Sequence, residues 1–178
     1  WLKVSRQNAA GAQSRVKWVV QIVLSLVVGV YLWQLPSTRT LVADIQIPFF
    51  KDPILRSVPW IGIPLVALTI IGSSNAVNLT DGMDGLAIGC TLIVAMTMLI
   101  LTYLSDNVKL ATYLQIPHVR GASELTVVCA AFIGASLGFL WFNCHPAEVF
   151  MGDTGSLAIG GMLGAVAICC KQELLLVI

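Results

Sequence analysis

The chain has 178 residues, of which 57% are hydrophobic and only 11% are charged. A soluble domain carries about 25% charged residues, so a soluble monomer is excluded because it could not hide this much apolar surface. The sequence also lacks a basic stretch interleaved with aromatic residues, so no nucleic-acid partner is expected. These features predict an integral membrane protein in contact with the lipid bilayer.

Five apolar segments are long enough to cross a bilayer, which takes roughly 20 residues of helix. They occupy residues 18–35, 60–76, 86–104, 125–142 and 157–170, and a sixth apolar segment begins at residue 174. Each is continuously apolar, whereas the strands of a membrane barrel alternate apolar and polar residues over about 10 positions. The predicted fold is an all-α, polytopic transmembrane helix bundle in a single domain, with five full spans and the start of a sixth.

Two polar segments interrupt this apolar sequence, at residues 75–85 and 143–156. The first contains the acids Asp81 and Asp84, and the second contains Asp153. Acidic residues at membrane depth or at the ends of spans are costly to keep, so they mark an ion or substrate site. The two segments are therefore the candidate functional regions.

Counting membrane crossings places these segments on one side. Two spans separate the basic N-terminal segment, which includes Lys3 and Lys17, from residues 75–85, and two more separate residues 75–85 from residues 143–156. An even number of crossings returns the chain to the same face, so the three segments are expected to converge on one site. The positive charges that precede the first span favour the cytoplasm for this face.

The residue types in the polar segments suit a metal-bound phosphate. Carboxylates are hard oxygen ligands, and Mg²⁺ is typically held by one or two of them together with substrate phosphates. Gly82 and the other glycines of these segments let the backbone approach a ligand closely. Both segments lead directly into a span, near Ser156 in the second case, and a helix N-terminus offers free N–H groups to an anion.

Simpler interpretations of the same residues stay open. Asp81 and Asp153 are also residue types that cap helices, and Asn78-Leu-Thr80 fits a glycosylation sequon. Capping alone does not explain three acids and three Asn on one face of a chain that has 9 acids in total. His145 lacks the second His that would accompany it in a metal site.

Two blocks of sequence carry a resemblance to a known family. The first reads Asn-Ala-Val-Asn-Leu-Thr-Asp-Gly-Met-Asp-Gly-Leu-Ala over residues 75–87, and the second reads Phe-Asn-Cys-His-Pro-Ala-Glu-Val-Phe-Met-Gly-Asp-Thr-Gly-Ser-Leu over residues 142–157. Both resemble the signature segments of the bacterial phospho-N-acetylmuramoyl-pentapeptide transferases, which belong to the polyprenyl-phosphate N-acetylhexosamine-1-phosphate transferase superfamily. The chain resembles the middle portion of that family, which has roughly ten spans.

The resemblance implies a reaction, a cofactor and partners. A phospho-MurNAc-pentapeptide unit moves from UDP-MurNAc-pentapeptide to undecaprenyl phosphate, which gives lipid I and UMP in the first membrane step of peptidoglycan synthesis. Mg²⁺ is the implied cofactor, because it neutralises the pyrophosphate as that group breaks. The corresponding expectations are a multi-pass protein of the bacterial inner (plasma) membrane, an active site on the cytoplasmic face, and a second copy of the chain as a homodimer partner.

The resemblance also implies a role for individual residues that match the family's motifs. Asp153 matches the Mg²⁺ ligand, Phe150 matches the aromatic ring that stacks on uracil, and Lys3 matches the lysine that closes an Asp-Asp-x-x-Lys motif. The implied catalytic residues are Asp81, Asp84, Asp153 and Lys3. The implied substrate-binding residues are Asn75, Asn78, Asn143, Phe150, Gly82 and Ser156.

The sequence departs from the family's pattern at both ends. The Asp pair of the motif that Lys3 closes would lie just before Trp1, and the family's His-rich motif would follow Ile178. We therefore expect the chain to be a central fragment of a longer protein, and we expect the fragment alone to be inactive.

Two alternative functions stay open. A sister transferase moves N-acetylglucosamine-1-phosphate from UDP-GlcNAc to the same lipid, but its blocks resemble this chain less closely, with Met-Val in place of Leu79-Thr80 and Ala in place of Thr154. A cation-coupled transporter would place its acids near the middle of the membrane. The counting of crossings and the glycine-rich turns place them at one surface instead.

Overall fold

The structure is a computed structural model that describes residues 14–46 and 53–177. Within these ranges the chain forms seven α-helices and a final 3₁₀ turn at Leu175–Val177. The helices are α1 (Ser14–Gln34), α2 (Arg39–Ala43), α3 (Pro59–Thr80), α4 (Leu86–Asp106), α5 (Val108–Leu114), α6 (Glu124–Asn143) and α7 (Gly152–Cys169). The described residues contain no β-strand, and their one extended pairing is an isolated bridge between Ile45 and Leu55.

Five of these helices, α1, α3, α4, α6 and α7, are long and apolar enough to cross a membrane. Many of their large apolar side chains face outwards, including Val19 and Leu24 on α1 and Val127 on α6, as expected where lipid or neighbouring spans replace water. The prediction of an all-α bundle with five spans is confirmed. The sixth span stays a prediction, because the described residues after Lys171 contain only the 3₁₀ turn.

Glycine lets α7 approach α3 closely. A Cβ atom added at Gly160 would lie 2.6 Å from Cα of Ser74 and 2.8 Å from the carbonyl carbon of Ser73. The hydroxyl of Ser74 donates a hydrogen bond to the carbonyl oxygen of Leu157 at 2.6 Å. Lipid does not drive helices together as water does, so small residues and interhelical hydrogen bonds set their spacing. Elsewhere in the bundle, α3 also packs against α1, and α4 packs against α6.

The C-terminal end of α3 differs from the predicted end at residue 76. The helix continues to Thr80, so Asn78 lies within it rather than in a loop, and Asn75 lies well before its end. The side chain of Asn75 donates to the carbonyl oxygen of Ile71 at 2.8 Å, and that of Thr80 donates to the carbonyl oxygen of Ala76 at 2.8 Å. Polar side chains that bond to the preceding turn are compatible with a continuous helix.

The N-terminal end of α7 also differs from the prediction, since the helix begins at Gly152 rather than at residue 157. Asp153 therefore lies in the first turn, where its negative charge is stabilised by the positive end of the helix dipole. Ser156 donates from Oγ to the carbonyl oxygen of Gly152 at 3.1 Å. The glycine-rich composition of residues 152–156 predicts a turn before the helix, whereas the structure makes these residues the first turn of α7.

The two sides of the bundle have different loops. The start of α1, the α3–α4 turn and the α6–α7 loop meet on one side, where Lys17 contacts Asp153. On the other side, Lys171 after α7 contacts the backbone of Asp44 after α2, and the N–H of Val119 donates to the carbonyl oxygen of Ser105. The predicted convergence of the polar segments is confirmed for the part of the basic segment that the structure describes.

Candidate functional site

Asp153 is the centre of the first group of polar contacts. Its Oδ2 atom accepts from Nζ of Lys17 on α1, and its Oδ1 atom lies 3.4 Å from Nδ2 of Asn78 on α3. Asn78 also donates to Oγ of the buried Ser156 at 2.8 Å. Three helices that are distant in sequence therefore each contribute a polar side chain to one point.

The exposure of this group argues against a mainly structural role for the ion pair. The side chains of Lys17 and Asp153 are 36% and 57% exposed. An exposed ion pair contributes only about 0–1 kcal/mol to stability, so it is a poor device for holding helices together. Its position next to the carboxamide of Asn78 is instead suited to an anionic or metal-bound ligand.

Asp84 is the centre of a second group of contacts, between the α3–α4 turn and the α6–α7 loop. Its Oδ2 atom accepts from the N–H of Ala147 at 3.2 Å and lies 3.1 Å from Nδ1 of His145. The His145 side chain is 84% exposed. Asp84 therefore holds the α6–α7 loop in place with one oxygen.

Asn143 joins the same two segments from the end of α6. Its Oδ1 atom accepts from the N–H of Gly85 at 3.1 Å, and its Nδ2 atom donates to the carbonyl oxygen of Val149 at 2.7 Å. Gly85 has a φ of +73°, a conformation that glycine adopts without steric cost. Asn143 is only 5% exposed, so the structure uses its carboxamide to brace the loops.

Asn75 lies one helical turn before Asn78 and contacts α1. Its Nδ2 atom donates to Oε1 of Gln21 at 3.1 Å and to the carbonyl oxygen of Ile71. Both bonds are made within the protein. This contact forms a second polar layer, deeper in the bundle than the contact between Lys17 and Asp153.

The remaining predicted residues lie in the α6–α7 loop, in the α3–α4 turn or outside the described residues. Phe150 is 72% exposed in the α6–α7 loop. Asp81 directly follows α3, where its N–H donates to the carbonyl oxygen of Val77 at 3.1 Å, and Gly82 is exposed in the same turn. Lys3 lies outside the described residues. The polar segments thus present an open surface of loops rather than a closed pocket.

An apolar groove of about 570 Å³ leads away from Asp153 between α1, α3 and α7. Lys17 and Asp153 lie among its lining residues, together with Gln21 and Ser74, and the other lining side chains are mainly apolar. One of these apolar side chains is Leu24 from α1. The groove therefore suits a ligand with an apolar chain and a charged head.

The described residues contain no group of three or more His, Cys, Asp or Glu side chains that could hold a metal ion by themselves. Mg²⁺ does not require such a group, because it is usually bound by one or two carboxylates plus substrate phosphates and waters. Asp153 offers one exposed carboxylate beside the carboxamide of Asn78. The carboxylate of Asp153 fits a Mg²⁺ ion that arrives with a phosphorylated substrate.

Sequence reasoning missed three residues of this region. Lys17 was noted only as one of the positive charges before the first span, although the counting of crossings already placed it on the side of Asp153. Gln21 lies inside the first span, and no motif around it marks it as a site residue. His145 was weighed only as a metal ligand, and its contact with Asp84 had no signal in the sequence.

Comparison with known proteins identifies the family. Residues 9–171 match the family described as glycosyl transferase family 4. The chain belongs to this family. The match includes both polar segments, so Asn78, Asp84 and Asp153 all lie within the matched range.

Relatives of this family 4 chain share a common name, phospho-N-acetylmuramoyl-pentapeptide-transferase. The protein from Methylacidiphilum infernorum is 49% identical over 176 residues, and those from Citrifermentans bemidjiense and Geobacter sp. strain M21 are each 52% identical over 179 residues. Each alignment covers 99% of this chain and 48% of the relative. The chain thus spans about half the length of these relatives, and the resemblance that the two blocks indicated is confirmed.

Proposed function

We propose that this chain is the central part of a roughly ten-span transferase that moves phospho-MurNAc-pentapeptide from UDP-MurNAc-pentapeptide to undecaprenyl phosphate. An oxygen of the lipid phosphate forms a new bond to the β-phosphorus of the donor. The bond from that phosphorus to the bridging oxygen breaks, and UMP leaves with the electron pair. The products are lipid I and UMP, and the relatives' names favour this reaction over transfer of N-acetylglucosamine-1-phosphate.

The observation that carries this proposal is the position of Asp153. It lies between Lys17 and Asn78 at the charged end of a mainly apolar groove. A polyprenyl phosphate has the same distribution of polarity, with an anionic head on a long apolar chain. The exposed α6–α7 loop beside this point leaves room for a water-soluble nucleotide donor.

The described residues supply electrostatics and orientation. Lys17 offers an ammonium group to phosphate oxygens, and Asn78 holds the carboxylate of Asp153 through Nδ2. A Mg²⁺ ion held at Asp153 would neutralise the negative charge that develops on the pyrophosphate. Phe150, exposed in the loop, presents a ring on which uracil stacks. Asp84 and Asn143 act by bracing that loop, and Asp81 and Gly82 line the nucleotide side.

No general base is required for the attack in this proposal. The second pKa of a phosphate monoester is about 6, so the lipid phosphate is mainly a dianion at neutral pH. Catalysis of phosphoryl transfer then consists of positioning and charge stabilisation. Asp84 therefore does not have to act as a base, and its Oδ2 atom already contacts Ala147 and His145.

The rest of the proposed assignment concerns location. We place the protein in the bacterial inner membrane with Asp153 at the cytoplasmic face, where nucleotide sugars are made, and we retain the homodimer as part of the proposal. The missing Asp pair and His-rich motif of the family would come from parts of the protein outside residues 1–178, so the fragment alone should not turn over.

The proposal is tested with the purified full-length protein in detergent containing undecaprenyl phosphate and Mg²⁺. Release of UMP from UDP-MurNAc-pentapeptide, with little release from UDP-GlcNAc, is the expected result. The reverse preference would favour the sister transferase. No UMP from either donor, together with cation flux into proteoliposomes, would favour the transporter.

A further inference from the structure

Gln21 is a polar residue inside an apolar span, and its position relates it to the proposed site. It lies four residues after Lys17 on α1, so the two side chains share a face of the helix. Both line the groove that ends at Asp153. The Oε1 atom of Gln21 accepts the hydrogen bond from Nδ2 of Asn75 at 3.1 Å.

The orientation of the Gln21 carboxamide follows from its partners. The nitrogen of a carboxamide only donates, and its oxygen only accepts. Asn75 also directs Nδ2 at the carbonyl oxygen of Ile71, at 2.8 Å, so that atom has to be the nitrogen. The Gln21 atom that faces it is therefore the oxygen, and the N–H groups of Gln21 point away from Asn75.

The Nε2 atom of Gln21 is buried and has no hydrogen-bond partner among residues 14–46 and 53–177. An unpaired donor is expensive in apolar surroundings, and within a bilayer no water is present to relieve it. The contact with Asn75 requires only the oxygen, so the link between α1 and α3 does not account for the nitrogen. A ligand that brings an acceptor into the groove would account for it.

We propose that Nε2 of Gln21 donates a hydrogen bond to a phosphate oxygen of the lipid acceptor. This inference rests on the proposed function, because it deepens the assignment of the groove to a polyprenyl phosphate. Lys17 and Gln21 then contact the same head group from successive turns of α1. A neutral donor orients the phosphate without adding a second positive charge, which would cost more at this depth.

The test compares variants of the full-length protein by their KM for undecaprenyl phosphate and for UDP-MurNAc-pentapeptide. Gln21→Met removes both the oxygen and the nitrogen, whereas Asn75→Leu removes the link between the helices and leaves the nitrogen of Gln21 in place. Gln34→Met, at the other end of α1, is the matched control. We expect Gln21→Met to raise the KM for the lipid by about tenfold over Asn75→Leu, the size expected for one hydrogen bond to a charged group, and to leave the KM for the nucleotide unchanged.

Equal lipid KM values for Gln21→Met and Asn75→Leu would overturn the inference, and this result is also expected if a segment from the rest of the chain satisfies Nε2. If Gln21→Met does not fold, Gln21→Glu decides the question. Glu keeps an oxygen for Asn75 but loses the donor when ionised, so the lipid KM should rise at alkaline pH and approach the wild-type value at acidic pH. A wild-type lipid KM at every pH would overturn the inference. Failure of the wild-type protein to release UMP would instead refute the proposed function.

Discussion

Lys17 and Asp153 contact each other across 136 positions of sequence, at the start of α1 and in the first turn of α7. Their contact lies at one end of an apolar groove, and Asn78 approaches the same carboxylate from α3. The relative positions of α1, α3 and α7 therefore determine whether the site forms, and changes in helix packing should affect function as well as stability.

Gly160→Ala should separate α7 from α3. The added Cβ would lie within 2.6 Å of the Ser74 backbone, so the helices have to move apart and the bond from Ser74 to Leu157 is lost. We expect a lower melting temperature in detergent and lower transferase activity.

The matched control is Gly138→Ala on α6, where no atom lies within 4 Å of the added Cβ. Alanine is favoured over glycine within a helix by about 1 kcal/mol, so this variant should be at least as stable as the wild type. A Gly160→Ala protein as stable as the control would show that the close approach of α3 and α7 is not required.

Asp84→Ala should loosen the α6–α7 loop, because the N–H of Ala147 and the ring of His145 lose their acceptor. A hydrogen bond to a charged group is worth about 1.5–3 kcal/mol, and we expect a loss of that order in the unfolding free energy. Asp84→Asn retains an acceptor oxygen and should lose less. Limited proteolysis at residues 144–150 provides the second measurement, and unchanged cleavage of Asp84→Ala would contradict the bracing role.

The spans could be predicted from the sequence because their apolar side chains face lipid or each other along whole helices, as on α1 and α6. The ends of the spans could not, since Asn75 and Asn78 satisfy their polar groups within α3 or on neighbouring helices, and only the packed bundle shows those partners. The site was predicted as far as residue type and side of the membrane allow. The contact of Lys17 with Asp153 and that of Asp84 with His145 depend on the distances between helices, which no local pattern encodes.

Glu173 should make stability depend on pH. Its side chain is 5% exposed on the side opposite to Asp153, with Oε1 lying 3.3 Å from Nζ of Lys171. Burial raises the pKa of Glu173 above its ordinary value of 4.5, and the charge of Lys171 opposes this only in part. The folded protein then holds the proton more tightly than the unfolded chain, so this stabilisation is complete below the ordinary pKa and is lost as pH rises through the raised pKa.

Thermal unfolding from acidic to neutral pH measures this effect. The wild-type melting temperature should fall as pH rises through the raised pKa of Glu173, and Glu173→Gln should remove that component because it cannot ionise. Glu148→Gln, at an exposed acid in the α6–α7 loop, is the matched control and should follow the wild-type profile. Identical profiles of melting temperature against pH for the wild type and Glu173→Gln would exclude Glu173 as the source of the pH dependence.

The sidedness of the loops can be tested by labelling single cysteines with a membrane-impermeant thiol reagent, in a background that lacks the five native cysteines. Thr80→Cys and Thr154→Cys should be labelled together, and only after the membrane is opened. Gln115→Cys, at an exposed position on the other side of the bundle, should be labelled in intact cells. Labelling of positions 80 and 154 from opposite faces would contradict a single site.

The most direct test of the account is the turnover of Asp153→Asn in the full-length protein. Asparagine keeps the shape of the side chain and can still accept from Lys17, but it loses the negative charge that the proposed Mg²⁺ site requires. Asp44→Asn, on the opposite side of the bundle where Asp44 accepts from the N–H of Ser57, is the matched control. The account predicts that Asp153→Asn inserts and melts like the wild type but releases UMP at least about 100-fold more slowly, whereas the control retains its activity. An Asp153→Asn protein that keeps half of the wild-type rate would contradict the central claim.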